Sequence, residues 1–255
     1  PGLKVHSKLL QITRISGKKE HFISYIGTGN FNERTSTIYT DVALLTANRE
    51  IGLEVNRVFR LIENNLERTT HKHLLVYPFN VRRKLFSLID REITHVIKGQ
   101  PGAFRMKLNN LTDKKIIEKL YEASKRGVKI QLIVRGICCL KPGVKGLSEN
   151  IEVISIVDRY LEHERFFIFD NAGKPTYIIT SADLMERNLD NRIEVGVFIN
   201  SKEIQMQLNR IFDFQWKGSV KARLISSDSK TRYRKRNLPP FHAQQELYSY
   251  YQTLK

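Results

Sequence analysis

Cysteine is scarce in this sequence, with two residues among 255, and the two are adjacent at Cys138 and Cys139. A disulfide between chain neighbours is strained, and a zinc site needs further ligands at suitable spacing. We therefore expect a reducing, cytoplasmic compartment. No apolar run approaches the ~20 residues of a membrane span, and no signal peptide is present, although peripheral association with a membrane stays open.

Acidic residues are also few, because 26 Asp and Glu stand against 43 Lys and Arg, a formal charge of +17. An excess of this size predicts a polyanionic partner, namely nucleic acid, an anionic membrane or a phosphate polymer. The alternative is a basic surface without a specific partner. Apolar residues make up 41% of the chain, which is enough to build a folded core.

Strand and helix patterns are interspersed along the chain, which favours an α/β (α+β) class with mixed sheets flanked by helices. Gly17 marks the turn of an N-terminal hairpin, and Asn48 is a candidate helix cap. The basic run KTRYRKR at 230–236 reads as a solvated face that also reaches a polyanion. The predicted strands are 3–14, 21–27, 41–46, 104–111, 128–136, 151–157, 163–170, 175–181 and 192–199, and the predicted helices are 48–64, 80–98, 113–126 and 201–217.

An internal repeat recurs at a spacing of 153 residues. GTGNFNERT matches TSADLMERN, and DVALL further along matches EVGVF. Upstream of these, VHSKLL matches the segment that begins EHERFF, with a four-residue difference that we assign to the hairpin turns. A duplicated unit usually packs about a pseudo-twofold axis. The matched pairs are His6 with His163, Lys8 with Arg165, Asn30 with Asp183, and Asp41 with Glu194.

The chain has no initiator methionine and enters an apolar segment directly after Pro1 and Gly2. We therefore expect a fragment of a longer protein, in which the first repeated unit begins upstream. The polar stretch at 68–74 is the predicted boundary between the units. This division assigns residues 1–70 to the remainder of the first unit, which is incomplete, and residues 71–255 to the second.

The repeated residues suit phosphoryl chemistry. A neutral imidazole can attack phosphorus and hold the phosphoryl group, while a second imidazole handles the proton at the leaving or attacking oxygen. Cationic side chains at Lys8 and Arg165 can neutralise phosphate oxygens, and backbone N–H groups of the glycine-rich turn at 27–30 can bind an anion. Asp41 and Glu194 can each hold an imidazole in one tautomer.

His-x-Lys followed by a glycine-rich turn with Asn resembles the repeated motif of the phospholipase D-like superfamily, whose orienting acid lies eleven positions after the Asn. Asp41 lies eleven after Asn30, and Glu194 lies eleven after Asp183. Longer strings are more specific and resemble the C-terminal half of bacterial polyphosphate kinases over roughly residues 3–250. These strings are IGTGNFNERT, KLNNLTDKKIIEKLYEAS, LIVRGICCL, SIVDRYLEHERFFIF and SADLMERNLDNRIEV.

The resemblance implies two phospholipase D-like units about a pseudo-twofold axis. It also implies that His6 is the histidine that becomes phosphorylated and that His163 is the second catalytic histidine. Tyr39, Arg135 and His163 match positions that contact ATP. The resemblance further implies ATP and ADP, inorganic polyphosphate and Mg²⁺ as substrates and cofactor, a homo-oligomer, and no nucleic acid. The magnesium-site arginines and the adenine-contacting Asn of the family lie upstream, so the fragment is expected to be inactive alone and to hold no metal itself.

Two other functions compete with a polyphosphate kinase. A phospholipase D-like phosphodiesterase or nuclease would use the same histidines to cleave diesters without ATP. A nucleic-acid-binding module would bind DNA or RNA without His6 and His163. The sequence contains no zinc finger, no aromatic RNA-binding signature and no clear helix-turn-helix, which disfavours the last of these.

Overall fold

The computed structural model describes residues 3–64, 70–228, 230–234 and 239–254. Part of the predicted boundary at 68–74 and the end of the basic run at 230–236 lie outside these ranges. The helices are α1 (Glu33–Ser36), α2 (Arg49–Asn64), α3 (Val81–Ile97), α4 (Lys114–Lys125), α5 (Glu186–Asp190), α6 (Lys202–Lys217) and α7 (Ala243–Gln252). The strands are β1 (Lys4–Val5), β2 (Lys8–Ser16), β3 (Lys19–Gly27), β4 (Tyr39–Thr40), β5 (Ala43–Thr46), β6 (Leu74–Val76), β7 (Ala103–Leu108), β8 (Lys129–Val134), β9 (Ile151–Ile156), β10 (Leu161–Glu162), β11 (Phe166–Phe169), β12 (Thr176–Thr180), β13 (Arg192–Ile193), β14 (Val195–Ile199), β15 (Ala222–Ile225) and β16 (Thr231–Tyr233).

A nine-stranded mixed sheet forms the larger part of the molecule, with strand order β16-β15-β9-β8-β7-β11-β12-β14-β6. Strands β7, β8 and β9 run parallel, and the other neighbours are antiparallel. Helices α3 and α4 bury their apolar residues against this sheet. Asp113 begins α4 by accepting a hydrogen bond from the Ile116 N–H at 2.9 Å. The predicted α/β class is confirmed.

A second, three-stranded sheet (β2-β3-β5) repeats the local pattern of β11, β12 and β14. Lys8 pairs with Gly27 at its edge, and in the larger sheet the Thr180 N–H donates to the Arg165 carbonyl at the matched position. Ile26 pairs with Leu44 as Ile179 pairs with Val197. Helices α2 and α6 also begin and end 153 residues apart. The assignment of the four-residue difference to the hairpin turns is wrong, because the β2–β3 hairpin has longer strands and a shorter turn, at 17–18, than the β11–β12 hairpin, whose turn is at 170–175.

Two short parallel ladders join the units crosswise. Strand β1 of the first unit pairs with β13 of the second, and β10 of the second unit pairs with β4 of the first. The predicted continuous strand at 3–14 is therefore wrong, since it is broken between its ladder and its sheet, and the strand predicted at 163–170 begins only at Phe166, after a similar break that follows β10. The break is needed because the chain changes pairing partner there. His6 and His163 lie in the two breaks.

The apolar core has two parts. One lies between the nine-stranded sheet and helices α3 and α4, and the other joins α2, α6 and the inner faces of both sheets. The outer face of the three-stranded sheet remains open, with Ile12 57% and Leu45 70% exposed. Phe169 and Phe198 at the matched positions pack into the first part of the core. No helix among the described residues has the length and apolarity to cross a membrane.

This difference between matched positions gives a prediction for stability. Ile12→Ala is expected to change the free energy of unfolding by about 0.5 kcal/mol or less, because the side chain is already in contact with solvent. Phe169→Ala is expected to cost about 3–5 kcal/mol, because it empties a fully buried site. Urea unfolding of the two variants measures both values. Equal losses would show that the open face is covered in solution.

Candidate active site

His6 and Glu194 form the first half of the candidate site. The His6 Nδ1–H donates to Glu194 Oε1 at 2.7 Å, so the ring presents its lone pair at Nε2. Glu194 is fully buried and also accepts hydrogen bonds from Ser181 Oγ at 2.5 Å and Asn188 Nδ2 at 2.7 Å. The His6 side chain is 30% exposed, so Nε2 is available to a ligand.

Lys8 lies between the two halves of the site. Its buried ammonium is 3.1 Å from both ring nitrogens of His6 and donates to the His6 carbonyl at 2.5 Å. Burial lowers the pKa of Lys8 to about 8. The nearby Arg165 and Arg192 contribute to this lowering of the pKa, whereas the Glu194 carboxylate opposes it. Lys8 is therefore charged at neutral pH and close to losing its proton.

His163 and Asp41 form the second half. The His163 Nδ1–H donates to Asp41 Oδ1 at 2.8 Å, and Arg165 Nη2 lies 3.3 Å from His163 Nε2. Burial lowers the pKa of His163, and the neighbouring Arg165 and Arg135 act in the same direction against the effect of Asp41. The Tyr39 ring packs 4.8 Å from the His163 ring, centre to centre. His163 is therefore held neutral with a defined tautomer.

Asp183 and Arg165 form a buried ion pair behind His163. The distance from Arg165 Nε to Asp183 Oδ1 is 3.1 Å, and Asp183 also accepts from the backbone N–H groups of Asn109 and Asn110 at 2.7 and 3.1 Å. Burial acts to raise the pKa of Asp183, but Arg165 and the two N–H groups outweigh it and hold the pKa low. Arg135 joins this cluster by donating from Nε to Asn109 Oδ1 at 2.6 Å.

The pairing of histidines with acids crosses between the units. The sequence pattern did not indicate which acid meets which histidine. The crosswise ladders explain this pairing. In each ladder, the residue that follows one strand is a histidine and the residue that follows the other strand is a carboxylate, so the two emerge side by side. Accordingly, the His6 N–H donates to the Ile193 carbonyl at 3.0 Å and the His163 N–H donates to the Thr40 carbonyl at 3.1 Å.

Comparison with known proteins places the chain in a family. The family model described as "Polyphosphate kinase C-terminal domain 2" matches residues 74–245, and "Polyphosphate kinase C-terminal domain 1" matches residues 1–68. The chain belongs to the polyphosphate kinase family. It corresponds to the C-terminal region of such an enzyme, as the resemblance of its motifs implied.

The polyphosphate kinase of Vibrio cholerae is 46% identical over 256 residues, which cover 100% of this chain and 36% of the relative. The chain therefore spans about a third of the length of this curated relative. The crystal structure of the polyphosphate kinase from Porphyromonas gingivalis is 41% identical with a TM-score of 0.94, covering 99% of this chain and 39% of that one. A phosphatidylserine synthase structure from Haemophilus influenzae, 9% identical with a TM-score of 0.53 over 92% of this chain and 68% of that one, shares the fold alone.

The candidate site contains two hydroxyl groups that the sequence interpretation missed. Thr28 Oγ1 donates to Asp41 Oδ1 at 2.5 Å, and Ser181 Oγ donates to Glu194 Oε2 at the same distance. Each hydroxyl also accepts the N–H that follows the carboxylate, at 3.1 Å. Thr28 and Ser181 are 153 residues apart, so the repeat in the sequence could have identified both hydroxyls as site residues. Close approach of the Asp41 carboxylate leaves no room for a Cβ at Gly29, which would lie 2.6 Å from Oδ2.

Other predicted and missed residues differ in their placement. Asn30 is exposed on the turn, unlike its buried counterpart Asp183, and is not drawn into the cluster around the histidines. Arg192 was missed because no motif marks it. Its guanidinium lies 4.0 Å from Glu194 Oε1 and close enough to depress the pKa of Lys8, so it adds positive charge beside His6.

The site does not fit a resident Mg²⁺. Both carboxylates nearest the imidazoles already accept hydrogen bonds from them, and Lys8, Arg165 and Arg192 add positive charge beside them. Hard divalent cations prefer several oxygen ligands. Within the described ranges, no cluster of three or more His, Cys, Asp or Glu side chains has the geometry to hold a metal ion.

Proposed function

We propose that this chain carries the phosphoryl-transfer centre of a polyphosphate kinase and that His6 transfers the terminal phosphoryl group of ATP reversibly to inorganic polyphosphate. The geometry of His6 carries the proposal. Its Nδ1–H is held by the buried Glu194 at 2.7 Å, the Lys8 ammonium lies 3.1 Å from Nε2, and the His6 side chain is 30% exposed. The family and the names of the relatives support the choice of ATP and polyphosphate.

The reaction has two in-line displacements at phosphorus. In the first, His6 Nε2 forms an N–P bond with the terminal phosphorus of ATP while the bond to the bridging oxygen breaks, releasing ADP. In the second, a terminal oxygen of polyphosphate forms an O–P bond and the N–P bond breaks. Glu194 accepts the hydrogen bond from His6 Nδ1–H throughout, and this stabilises the ring while Nε2 carries the phosphoryl group.

The other site residues bind and orient the substrates. Lys8, Arg165 and Arg192 neutralise the phosphate oxygens. His163 is neutral and presents Nε2, so it contacts the nucleotide and handles a proton at the leaving or attacking oxygen. Tyr39 and Arg135 lie beside His163 and complete the nucleotide contacts that the resemblance implies.

Mg²⁺ enters this proposal as a partner of the nucleotide phosphates and is not held by the described carboxylates. We place the reaction in the cytoplasm, where ATP is available, and expect a homo-oligomer of the longer protein. The positive charge of +17 then serves a phosphate polymer, and nucleic acid is not required.

The test uses a fusion in which this chain replaces the matched segment of the Vibrio cholerae relative. The fusion and the chain alone are incubated with terminally labelled ATP and magnesium. The expected result is an acid-labile, alkali-stable label on the fusion that polyphosphate removes. A fusion that takes no label from ATP but hydrolyses a generic phosphodiester would replace the kinase with a phospholipase D-like hydrolase.

The pKa of Lys8 predicts a pH dependence of the forward reaction. Its pKa of about 8 is below the ordinary value, so the ammonium is present below pH 8 and is lost as the pH rises through that value. We expect kcat/KM of the fusion to fall above about pH 8, because the phosphate loses a charged partner. Arginine stays charged in this range, so Lys8→Arg is expected to remove this fall up to about pH 10.

Lys4→Arg is the matched control, since Lys4 is an exposed lysine near the site. It is expected to leave the fall above pH 8 in place. The same alkaline fall in the wild-type and Lys8→Arg proteins would assign it to another group.

A further inference from the structure

The segment EHER at residues 162–165 alternates acidic and basic side chains. His163 and Arg165 contact Asp41 and Asp183 in the site. Glu162 and Glu164 instead meet Lys107 and Gln215, and both are buried, with 2% and 3% exposed. Two carboxylates directly beneath a catalytic histidine need compensation for the water they lose.

Lys107 supplies this compensation. Its ammonium, 1% exposed, lies 3.0 Å from Glu162 Oε2 and 3.1 Å from Glu164 Oε1. Gln215 on α6 donates to the same two oxygens at 2.6 and 2.8 Å, and Gln244 on α7 donates to Glu162 Oε1 at 2.7 Å. The remaining oxygen, Glu164 Oε2, accepts the hydroxyl of Thr40. Every carboxylate oxygen of this cluster thus has a donor.

The pKa values of the two carboxylates are shifted in opposite directions. Burial raises the pKa of Glu162, and the charge of Glu164 adds to the effect against Lys107. Burial also acts on Glu164, but Lys107 together with the hydroxyl of Thr40 outweighs it and keeps the pKa low. Thr40 therefore donates to an ionised carboxylate, which makes its hydrogen bond one of the stronger kind.

Thr40 has a counterpart in the first half of the site, and the two are anchored differently. Both residues come directly before an orienting acid and close a crosswise ladder. The counterpart, Ile193, is 3% exposed and packs into the apolar core. Thr40 is only half-buried and borders a cavity of about 300 Å³ between its strand, α6 and α7. Packing cannot hold Thr40 in place as it holds Ile193.

We propose that Thr40 is a positioning residue, whose hydroxyl binds Glu164 so that Asp41, the next residue, stays at His163 Nδ1. The buried cluster of Lys107, Glu162 and Glu164 anchors the Thr40 hydroxyl. The role in catalysis rests on the proposed function, whereas the geometric link does not. Without the hydroxyl, β4 keeps its backbone ladder with β10 but loses its side-chain link to the cluster beside the cavity, and the Asp41–His163 hydrogen bond lengthens.

The test compares Thr40→Val, which keeps the shape but loses the hydroxyl, with Thr40→Ser, which keeps the hydroxyl. Thr37→Val is the control, because Thr37 is exposed in the same segment and its hydroxyl donates to the Arg34 carbonyl, away from the site. Nitrogen-15 NMR of the imidazoles follows the His163 Nδ1–H in the chain alone, with His163→Gln to assign the resonance. The phosphoryl-transfer rate is measured in the fusion.

The Nδ1–H resonance is expected in the wild type, Thr40→Ser and Thr37→Val and is expected to be lost in Thr40→Val. The kcat of the Thr40→Val fusion is expected to fall about tenfold or more, with recovery in Thr40→Ser. A resonance that persists in a folded Thr40→Val protein would overturn the proposal. If no fusion transfers phosphate, wild type included, the proposed function fails, and the NMR result still decides whether Thr40 positions Asp41.

Discussion

His6→Gln is expected to abolish labelling of the fusion by ATP and to lower phosphoryl transfer by at least about 10³-fold. The amide of glutamine can fill the space of the ring but cannot form the N–P bond. The fold should survive, because His6 is partly exposed and lies between strands, not in the core. Retention of the label by filter assay after alkali, followed by peptide mapping, measures the result.

His21→Gln is the matched control for this substitution. His21 is an exposed histidine on β3, in the three-stranded sheet. Its replacement is expected to leave the label at the wild-type level. A His6→Gln protein that still carries an acid-labile label from ATP would assign the nucleophile to another residue. His163 would then be the first to examine, because its Nε2 also carries the lone pair.

Glu194→Gln is expected to lower the rate of label formation by about 10²–10⁴-fold while the protein remains folded. Three donors converge on this carboxylate, from His6, Ser181 and Asn188. Glutamine has one acceptor oxygen and one NH₂ group, so at least one donor then faces another donor. If the NH₂ group faces His6, the ring takes the opposite tautomer and Nε2 carries a proton, which removes the nucleophile.

The same substitution also has a cost in stability. An unsatisfied buried donor typically costs about 1–3 kcal/mol, so urea unfolding should show a loss of this size. Glu186→Gln is the control, because Glu186 is exposed in the first turn of α5. It is expected to change neither the label nor the unfolding free energy. Wild-type labelling in Glu194→Gln would show that Glu194 does not set the tautomer of His6.

The repeat made the composition of the site predictable from the sequence. A spacing of 153 residues identifies His6 with His163 and Asp41 with Glu194, and the same spacing relates α2 to α6. What it does not reveal is the crossing of each histidine to the acid of the other copy. Contact between His6 and Glu194 joins residues 188 positions apart, and no local pattern encodes such a distance.

The sequence also did not indicate the buried charged cluster next to His163. The alternation of EHER indicates that Glu162 and Glu164 share a face, but a run of charges usually marks a solvated surface. Lys107 is equally misleading, since it shares β7 with Arg105 and the strand does not indicate which of the two cations is buried. Only the tertiary arrangement brings these three together, and that is why the buried cluster was not predicted.

The crosswise ladders make each half of the site depend on both units. Contacts in which a residue of one copy meets a residue of the other, and the reverse pair meets again, are those of a twofold-symmetric dimer. A single unit of this kind has a histidine without its own acid, so two units are needed to pair each histidine with an acid. Within one polypeptide the two units keep this geometry without having to be identical. Thr40 and Ile193 are an example, because they occupy equivalent places in the two units and one is polar whereas the other is apolar.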